Sequence, residues 1–239
     1  NYDDEIKGEI PVKDCKVAKL IYTSGTTGNP KGVILSHENI ISNYESIDKR
    51  FKDFKNRQLT TLNILPWAHI FGLTAELYYN IFNENRIVIS SGKENFINEI
   101  REIQPDILYL VPRVLELIKS KLEYFDKPVI RVLLPLITKY IFGSNLITIF
   151  VGGAQLSKET RDFYTNNNVV LCEGYGCTET SPIVSVNHTS TPRDVESIGK
   201  ILDNLIVKVV NNEILVSGPS VMIGYWDGKT NDEVFEKID

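Results

Sequence analysis

Between Leu59 and Gly174, short apolar runs alternate with segments whose apolar residues recur at helical spacing. That alternation limits the fold more than any other feature. The strand-like runs are LTTLNIL (59–65), RIVIS (86–90), DILYLV (106–111), NLITIFV (145–151) and VVLCEG (169–174). Between them lie LTAELYYNIF (73–82), KENFINEIREI (93–103), PRVLELIKSKL (112–122) and SKETRDFYTNN (157–167), which read as helices. Pro105 stops the second of these, Pro112 suits a first helical turn, and Ser157 caps the last. Strands separated by helices predict an α/β fold, a layered and mostly parallel sheet flanked by helices. The chain has 239 residues, 42% of them apolar, enough for one large domain with a real core.

After about Pro192 the texture changes. LIVKVVNNEILVSG (205–218) is two apolar runs around Asn211-Asn212, and asparagine tolerates the positive φ of a tight hairpin. The reading is therefore residues 1–191 as the α/β part and 192–239 as the start of a small β-rich subdomain, with NDEVFEKI (231–238) as a helix. VIRVLLPLITKYIF (129–142) is too short and too charged to span a bilayer. It reads as a buried or surface-packed helix, the alternative being a face that rests on a membrane or an acyl chain. A net charge of −5 argues against a nucleic-acid surface. Cys15, Cys172 and Cys177 are odd in number and lack metal spacing, which points to a reducing, cytoplasmic setting, with peripheral membrane contact and oligomeric state left open. The start at Asn1 and the single Met222 read as an excerpt of a longer protein, and no signal peptide is visible in the sequence.

YTSGTTGNPKG (22–32) carries the densest chemistry. It follows VAKLI (17–21), read as a short buried strand, and precedes VIL, read as another. Glycines let backbone amides turn toward one anion, and Thr23, Ser24, Thr26 and Thr27 can donate to phosphate oxygens. Lys31 adds a mobile positive charge. A polyphosphate is the simplest ligand, and a solvated small-residue turn is the plain alternative. A Walker-type loop is excluded, because Gly32 rather than a serine or threonine follows Lys31.

YTSGTTGNPKG closely resembles the phosphate-binding signature of the adenylate-forming superfamily: acyl-CoA synthetases, luciferases and peptide-synthetase adenylation domains. Further segments match in order. LPWAHIFGL (65–73) is similar to that family's aromatic-histidine segment, VGGAQLS (151–157) to its adenine-contacting turn, and EGYGCTET (173–180) to its YGxTE motif. SIGK (197–200) and EILVSGPSVMIGYW (213–226) match the subdomain that follows. Long-chain fatty acyl-CoA synthetases look most similar.

The resemblance implies ATP, Mg²⁺ and coenzyme A as ligands. It implies that Thr23, Ser24, Gly25, Thr26, Thr27, Gly28 and Lys31 hold the triphosphate. Gly153, Ala154, Glu173, Gly174, Tyr175, Gly176 and Thr178 would contact the nucleotide, with Tyr175 stacking on adenine and Thr178 near the α-phosphate. Glu179, with Thr27, would hold the metal. Trp67, His69, Phe71, Gly72, Val151 and Gly152 would line the acid site, and His69, Lys31, Thr178 and Glu179 would act in catalysis. Read from the residues alone, Tyr175 could be a half-buried core tyrosine, Glu179 a surface carboxylate, and His69 a packed histidine among aromatics. His37 and His188 read as surface or capping residues, and Cys172 and Cys177 as small core or site-wall residues.

The implied reaction joins a carboxylate to AMP with release of pyrophosphate, then passes the acyl group to a thiol. PWAHIFGL carries no Asp or Glu to pair with an amino-acid ammonium, which favours a fatty acid. An acyl-carrier-protein ligase, another carboxylic-acid:CoA ligase and a non-catalytic nucleotide- or acyl-binding module remain as alternatives. The family's ribose-binding aspartate, hinge and C-terminal lysine would lie past Asp239, so these 239 residues alone are expected to bind nucleotide weakly and turn over little.

Overall fold

The structure is a computed structural model that describes residues 16–23, 30–55, 57–123, 131–226 and 235. Apart from Phe235, the expected helix at 231–238 lies outside the described residues, as does Cys15.

β1 (Val17–Thr23) and β2 (Lys31–Ser36) pair antiparallel, and α1 (His37–Arg50) follows directly. The Ser36 side chain accepts from the Asn39 amide at 3.0 Å, and the Asn39 side chain accepts in return from the Ser36 amide at 2.9 Å. This reciprocal cap, with Glu38 in the first turn and Lys49 and Arg50 in the last, fixes both ends of α1. β1 differs from the expected buried strand. Only Ile21 is buried, whereas Val17, Leu20 and Tyr22 are exposed, because β1 is the edge of a small sheet whose other face is open.

β3 (Thr60–Asn63), α2 (Tyr79–Phe82), β4 (Arg86–Ile89), α3 (Phe96–Ile103), β5 (Ile107–Leu110), α4 (Pro112–Glu123), α5 (Leu134–Phe142), β6 (Thr148–Val151), α6 (Lys158–Asn166) and β7 (Leu171–Gly176) follow the predicted alternation. β8 (Ile183–Val186) and β9 (Lys200–Ile201) complete a seven-stranded sheet in the order β4-β3-β5-β6-β7-β8-β9. The first five strands are parallel, and β8 and β9 add antiparallel. β10 (Ile206–Val210) and β11 (Glu213–Ser217) form the expected hairpin, with φ of 50° at Asn211 and 64° at Asn212. β12 (Gly224–Tyr225) pairs back onto β2.

The strands are apolar throughout because both sheet faces are covered. Leu108, Leu110, Ile149 and Val151 face the layer made with Phe96, Ile100, Leu115 and Tyr164 from α3, α4 and α6. Ile107, Tyr109 and Phe150 face the other way, toward Phe51, Phe54, Ala75 and Leu202. Each such buried large side chain contributes about 1.5–3 kcal/mol.

Residues 71–82 are helical as expected, but Phe71–Tyr78 is wound as a π-helix. Side chains explain the register. Thr74 Oγ1 donates to the Ile70 carbonyl at 2.7 Å and Asn80 Nδ2 to the Glu76 carbonyl at 2.6 Å, so side chains occupy acceptors that an α-helix would use. α5 is the surface-packed form of the two expected: it buries Leu134, Thr138 and Phe142 and exposes Leu136 and Tyr140. Among the described residues no helix is long and apolar enough to cross a membrane.

Candidate functional site

Parallel strands end on one edge, so the segments after β5, β6 and β7 meet there. Val111, Gly152, Gly153 and Gly174 lie on that edge and line a cleft of about 1180 Å³. The opposite wall brings Thr23 and Lys31, which are cross-strand partners at the mouth of the β1–β2 pair. Ser24, Gly25, Thr26, Thr27 and Gly28 lie outside the described residues. His69, Phe71 and Gly72 enter from the start of the π-helix, and Tyr175, Gly176, Thr178 and Glu179 from the end of β7 and the turn after it. Residues from five segments of the chain therefore share one cavity.

Glycine is required at two places. Gly153 has φ +85°, a conformation that side chains disfavour. A Cβ on Gly176 would stand 1.7 Å from the Pro182 carbonyl oxygen. That close approach folds residues 177–182 back on β7. The Thr180 hydroxyl has two acceptors for its one proton, the Cys177 carbonyl at 3.0 Å and the Pro182 carbonyl at 2.9 Å, and accepts from the Cys177 amide. Thr178 and Glu179 are thereby held at the cleft. The Tyr175 ring is 42% exposed and faces the same space.

Glu179 is the only carboxylate lining the cleft among the described residues. Its Oε1 accepts from the Tyr225 hydroxyl at 2.8 Å, and its carbonyl accepts from the Met222 amide at 2.8 Å. The Lys31 ammonium stands 5.1 Å from the Tyr225 ring centroid. Burial first, and the neighbouring Glu179 carboxylate second, push the Tyr225 phenol well above its usual 10, so it stays protonated. Among the described residues no group of three or more His, Cys, Asp or Glu could cage a metal ion. A single wall carboxylate suits a hard ion such as Mg²⁺, which keeps much of its shell in water and phosphate oxygens.

Four expected site residues lie off the cleft. Val151 sits beneath Gly152 and lines a small apolar cavity of about 30 Å³ with Phe71, Tyr109 and Phe150. Ala154 is exposed on the turn before α6 but does not face the cleft. The Glu173 carboxylate is buried and accepts from the Arg161 guanidinium at 2.5 and 3.1 Å. Trp67 is half-buried beside Ile70 and Leu73, and its indole N–H is buried without a hydrogen bond. His188 stacks on Phe51 at 5.8 Å and lies near the Arg50 carbonyl, so it belongs to the packing. Cys172 is fully buried and Cys177 lines the cleft.

Several supporting residues escaped the sequence reading. Asn43, fully buried on α1, donates to the Ile183 carbonyl at 2.8 Å and the Thr180 carbonyl at 3.3 Å, and accepts from the Ile183 amide. Asn39 donates to the carbonyls of Pro219 and Val221. α1 thus grips both the Glu179 turn and the approach to Tyr225. At the end of β3, Asn63 donates to the Leu65 carbonyl at 2.9 Å and to Glu76 Oε2 at 2.7 Å. Glu76 is fully buried, and burial pushes its carboxyl up to about 8, tempered by Asn63 and by Trp67 nearby. A run of asparagines on a helix gives no signal of this kind. Tyr225 was visible within a matched segment, but nothing in the sequence pairs β12 with β2.

The sequence profile described as AMP-binding enzyme matches residues 3–226. Among curated relatives, the chain is 31% identical over 246 residues to probable 4-coumarate–CoA ligase 1 of Dictyostelium discoideum, covering 95% of this chain and 41% of that protein. It is 29% identical over 228 residues to the long-chain-fatty-acid–CoA ligase of Bacillus subtilis (strain 168), covering 88% and 38%. The chain thus spans about two fifths of the length of these relatives. Among solved structures, o-succinylbenzoate coenzyme A synthetase from Bacillus subtilis, in complex with ATP and magnesium ion, aligns with a TM-score of 0.72 at 24% identity over 91% of this chain and 44% of its own. Apo MatB from Rhodopseudomonas palustris aligns with a TM-score of 0.74 at 22% identity over 92% and 43%. At these identities the structural matches bear on the fold.

Proposed function

This chain belongs to the AMP-binding enzyme family, and from that premise we propose that it forms the nucleotide- and acid-binding part of a carboxylic-acid:CoA ligase whose acid is a fatty acid. The observation that carries this reading is the shared cleft. It sets Lys31 and Thr23 against Thr178 and Glu179 around a glycine-lined floor.

An oxygen of the acid attacks the α-phosphorus of ATP, the bond to the bridging oxygen of the β-phosphate breaks, and pyrophosphate leaves. The thiol of coenzyme A, losing its proton, then attacks the acyl carbon of the acyl-adenylate, the acyl–phosphate bond breaks, and AMP leaves. Catalysis of the first step is positioning and charge neutralisation of two anions. Lys31 and Thr23, with Ser24, Gly25, Thr26, Thr27 and Gly28, restrain the β- and γ-phosphates. Thr178 donates to the α-phosphate, and Tyr175 stacks on adenine above Gly153 and Gly174. Glu179, with Thr27, would hold Mg²⁺, which when bound offsets phosphate charge. His69 orients the acid beside Phe71, Gly72 and Gly152. Glu173, Ala154, Val151 and Trp67 act behind these residues, as supports of the walls.

Support for an apolar acid comes from the acid end of the cleft, where Leu65, Ile70, Phe71, Val111 and Ile183 supply apolar surface and no carboxylate to pair with an ammonium. ATP–pyrophosphate exchange by the intact protein, across fatty acids of graded length, aryl acids and amino acids, tests the proposal. Exchange with fatty acids is expected, and exchange with amino or aryl acids alone overturns the lipid assignment. Thioester formation with coenzyme A rather than acyl-carrier protein is expected in the second half-reaction. Glu179→Ala should abolish magnesium-dependent pyrophosphate release; release at the wild-type rate removes the metal assignment. No exchange with any acid would leave a non-catalytic binding module.

A further inference from the structure

We propose that Tyr225 is a positioning residue that holds Lys31 and Glu179 ready on the cleft wall and thereby sets the affinity for the divalent cation that accompanies the triphosphate. The proposal rests on the reading of the cleft given above.

The main chain fixes where this side chain stands. Ile223 N–H donates to the Ile34 carbonyl at 3.0 Å and Trp226 N–H to the Gly32 carbonyl at 2.8 Å, which seats β12 on β2 next to Lys31. The seating is tight: a Cβ on Gly32 would meet the Trp226 Cβ at 3.1 Å and Leu20 at 3.0 Å. From there the Tyr225 side chain, 7% exposed, runs to the far wall. Its ring meets the Lys31 ammonium at 5.1 Å, and its hydroxyl donates to Glu179 Oε1 at 2.8 Å. The same short segment grips Glu179 a second time, through the Met222 amide on its carbonyl.

Tyrosine contacts both charges without neutralising either. The ring face attracts the ammonium through its quadrupole, and a neutral O–H donates to the carboxylate. Among the described residues Lys31 and Glu179 form no salt bridge with each other. Had they paired, each would have satisfied the other, and phosphate and cation would have had to break that pair to bind. The phenol hydroxyl donates to Glu179 Oε1. It fixes Glu179 in one orientation before the cation arrives, which removes an ordering cost from binding.

Tyr225→Phe separates the two contacts, since it keeps the ring under Lys31 and deletes only the hydroxyl. A hydrogen bond to a charged group corresponds to roughly a tenfold change in affinity. Two measurements on the intact protein read it: loss of the free Mn²⁺ paramagnetic resonance signal on titration in the presence of ATP, and the Mg²⁺ dependence of ATP–pyrophosphate exchange. For Tyr225→Phe, half-saturation by either cation should rise about tenfold, while kcat at saturating Mg²⁺ stays within about twofold of wild type. Tyr225→Ala should in addition raise KM for ATP, because Lys31 loses its support. In a Glu179→Gln background, Tyr225→Phe should weaken Mn²⁺ binding no further, an interaction that a purely structural role would not produce.

Wild-type cation dependence in Tyr225→Phe, or a fall in kcat with that dependence unmoved, would overturn the role of Tyr225 while leaving the ligase reading intact. Wild-type protein with neither ATP-dependent Mn²⁺ binding nor exchange would overturn both.

Discussion

Replacing Glu76 with glutamine tests how the π-helix is held against β3. The Glu76 carboxyl has no exposed surface, accepts from Asn63 at 2.7 Å, and leaves its other oxygen without a hydrogen-bond partner. Burial raises its pKa from the ordinary 4.5 to about 8. A folded-state value above the unfolded one means that the folded protein holds the extra proton between the two. The stability this group contributes is therefore fully present below about pH 4.5 and is lost as the pH rises toward 8. Each pH unit in that window corresponds to about 1.36 kcal/mol, so the loss is on the order of 5 kcal/mol across it. That is a large part of the roughly 5–15 kcal/mol by which domains are stable. Glutamine keeps the shape, can still accept from Asn63 and has no proton to lose. Urea unfolding of the intact protein from pH 5 to 9 is the assay. Wild-type stability should fall across the window while that of Glu76→Gln changes far less, leaving the variant the more stable protein at pH 8.5. Parallel pH profiles for the two proteins would refute the assignment of this titration to Glu76.

Two further substitutions probe the frame around the cleft. Gly176→Ala drives a methyl group into the Pro182 carbonyl 1.7 Å away, so residues 177–182 must shift; ATP KM should rise at least tenfold, and crystals of the variant should show Glu179 displaced. Wild-type kinetics would show that the turn tolerates movement. Asn43→Ala strips partners from the Ile183 amide and the Thr180 and Ile183 carbonyls in a buried place, at a cost of about 2–4 kcal/mol. A fall in the urea midpoint with a raised KM for ATP is expected, and an unchanged midpoint would remove Asn43 from the frame.

The main sheet was legible because its signal is local and repeated. Runs such as ILYL and TIFV, buried on both faces, stand out against the helices between them. The hairpin at Asn211-Asn212 was legible for a similar reason, since two residues alone carry its backbone requirement. Other features depend on partners distant in sequence. Nothing in VAKLI tells whether a second layer covers it, and here none covers Leu20. The π-register of residues 71–78 arises from Thr74 and Asn80 capturing carbonyls, which leaves the apolar spacing unchanged. Glu173 sits within a matched motif, yet Arg161 on α6 holds its carboxylate, a pairing that neither residue announces in the sequence. The cleft residues from β6 and β7 were legible as motifs, whereas the asparagines that brace them look like any polar helix surface.

The cleft draws its walls from the ends of strands and the turns beyond them, while the strands' own side chains are consumed by the two packed layers. Chemistry and architecture are thus recorded in separate parts of the chain. In the proposed reading, exchanges at exposed cleft residues such as His69 and Tyr175 would change what the cleft accepts while the seven strands beneath stay still.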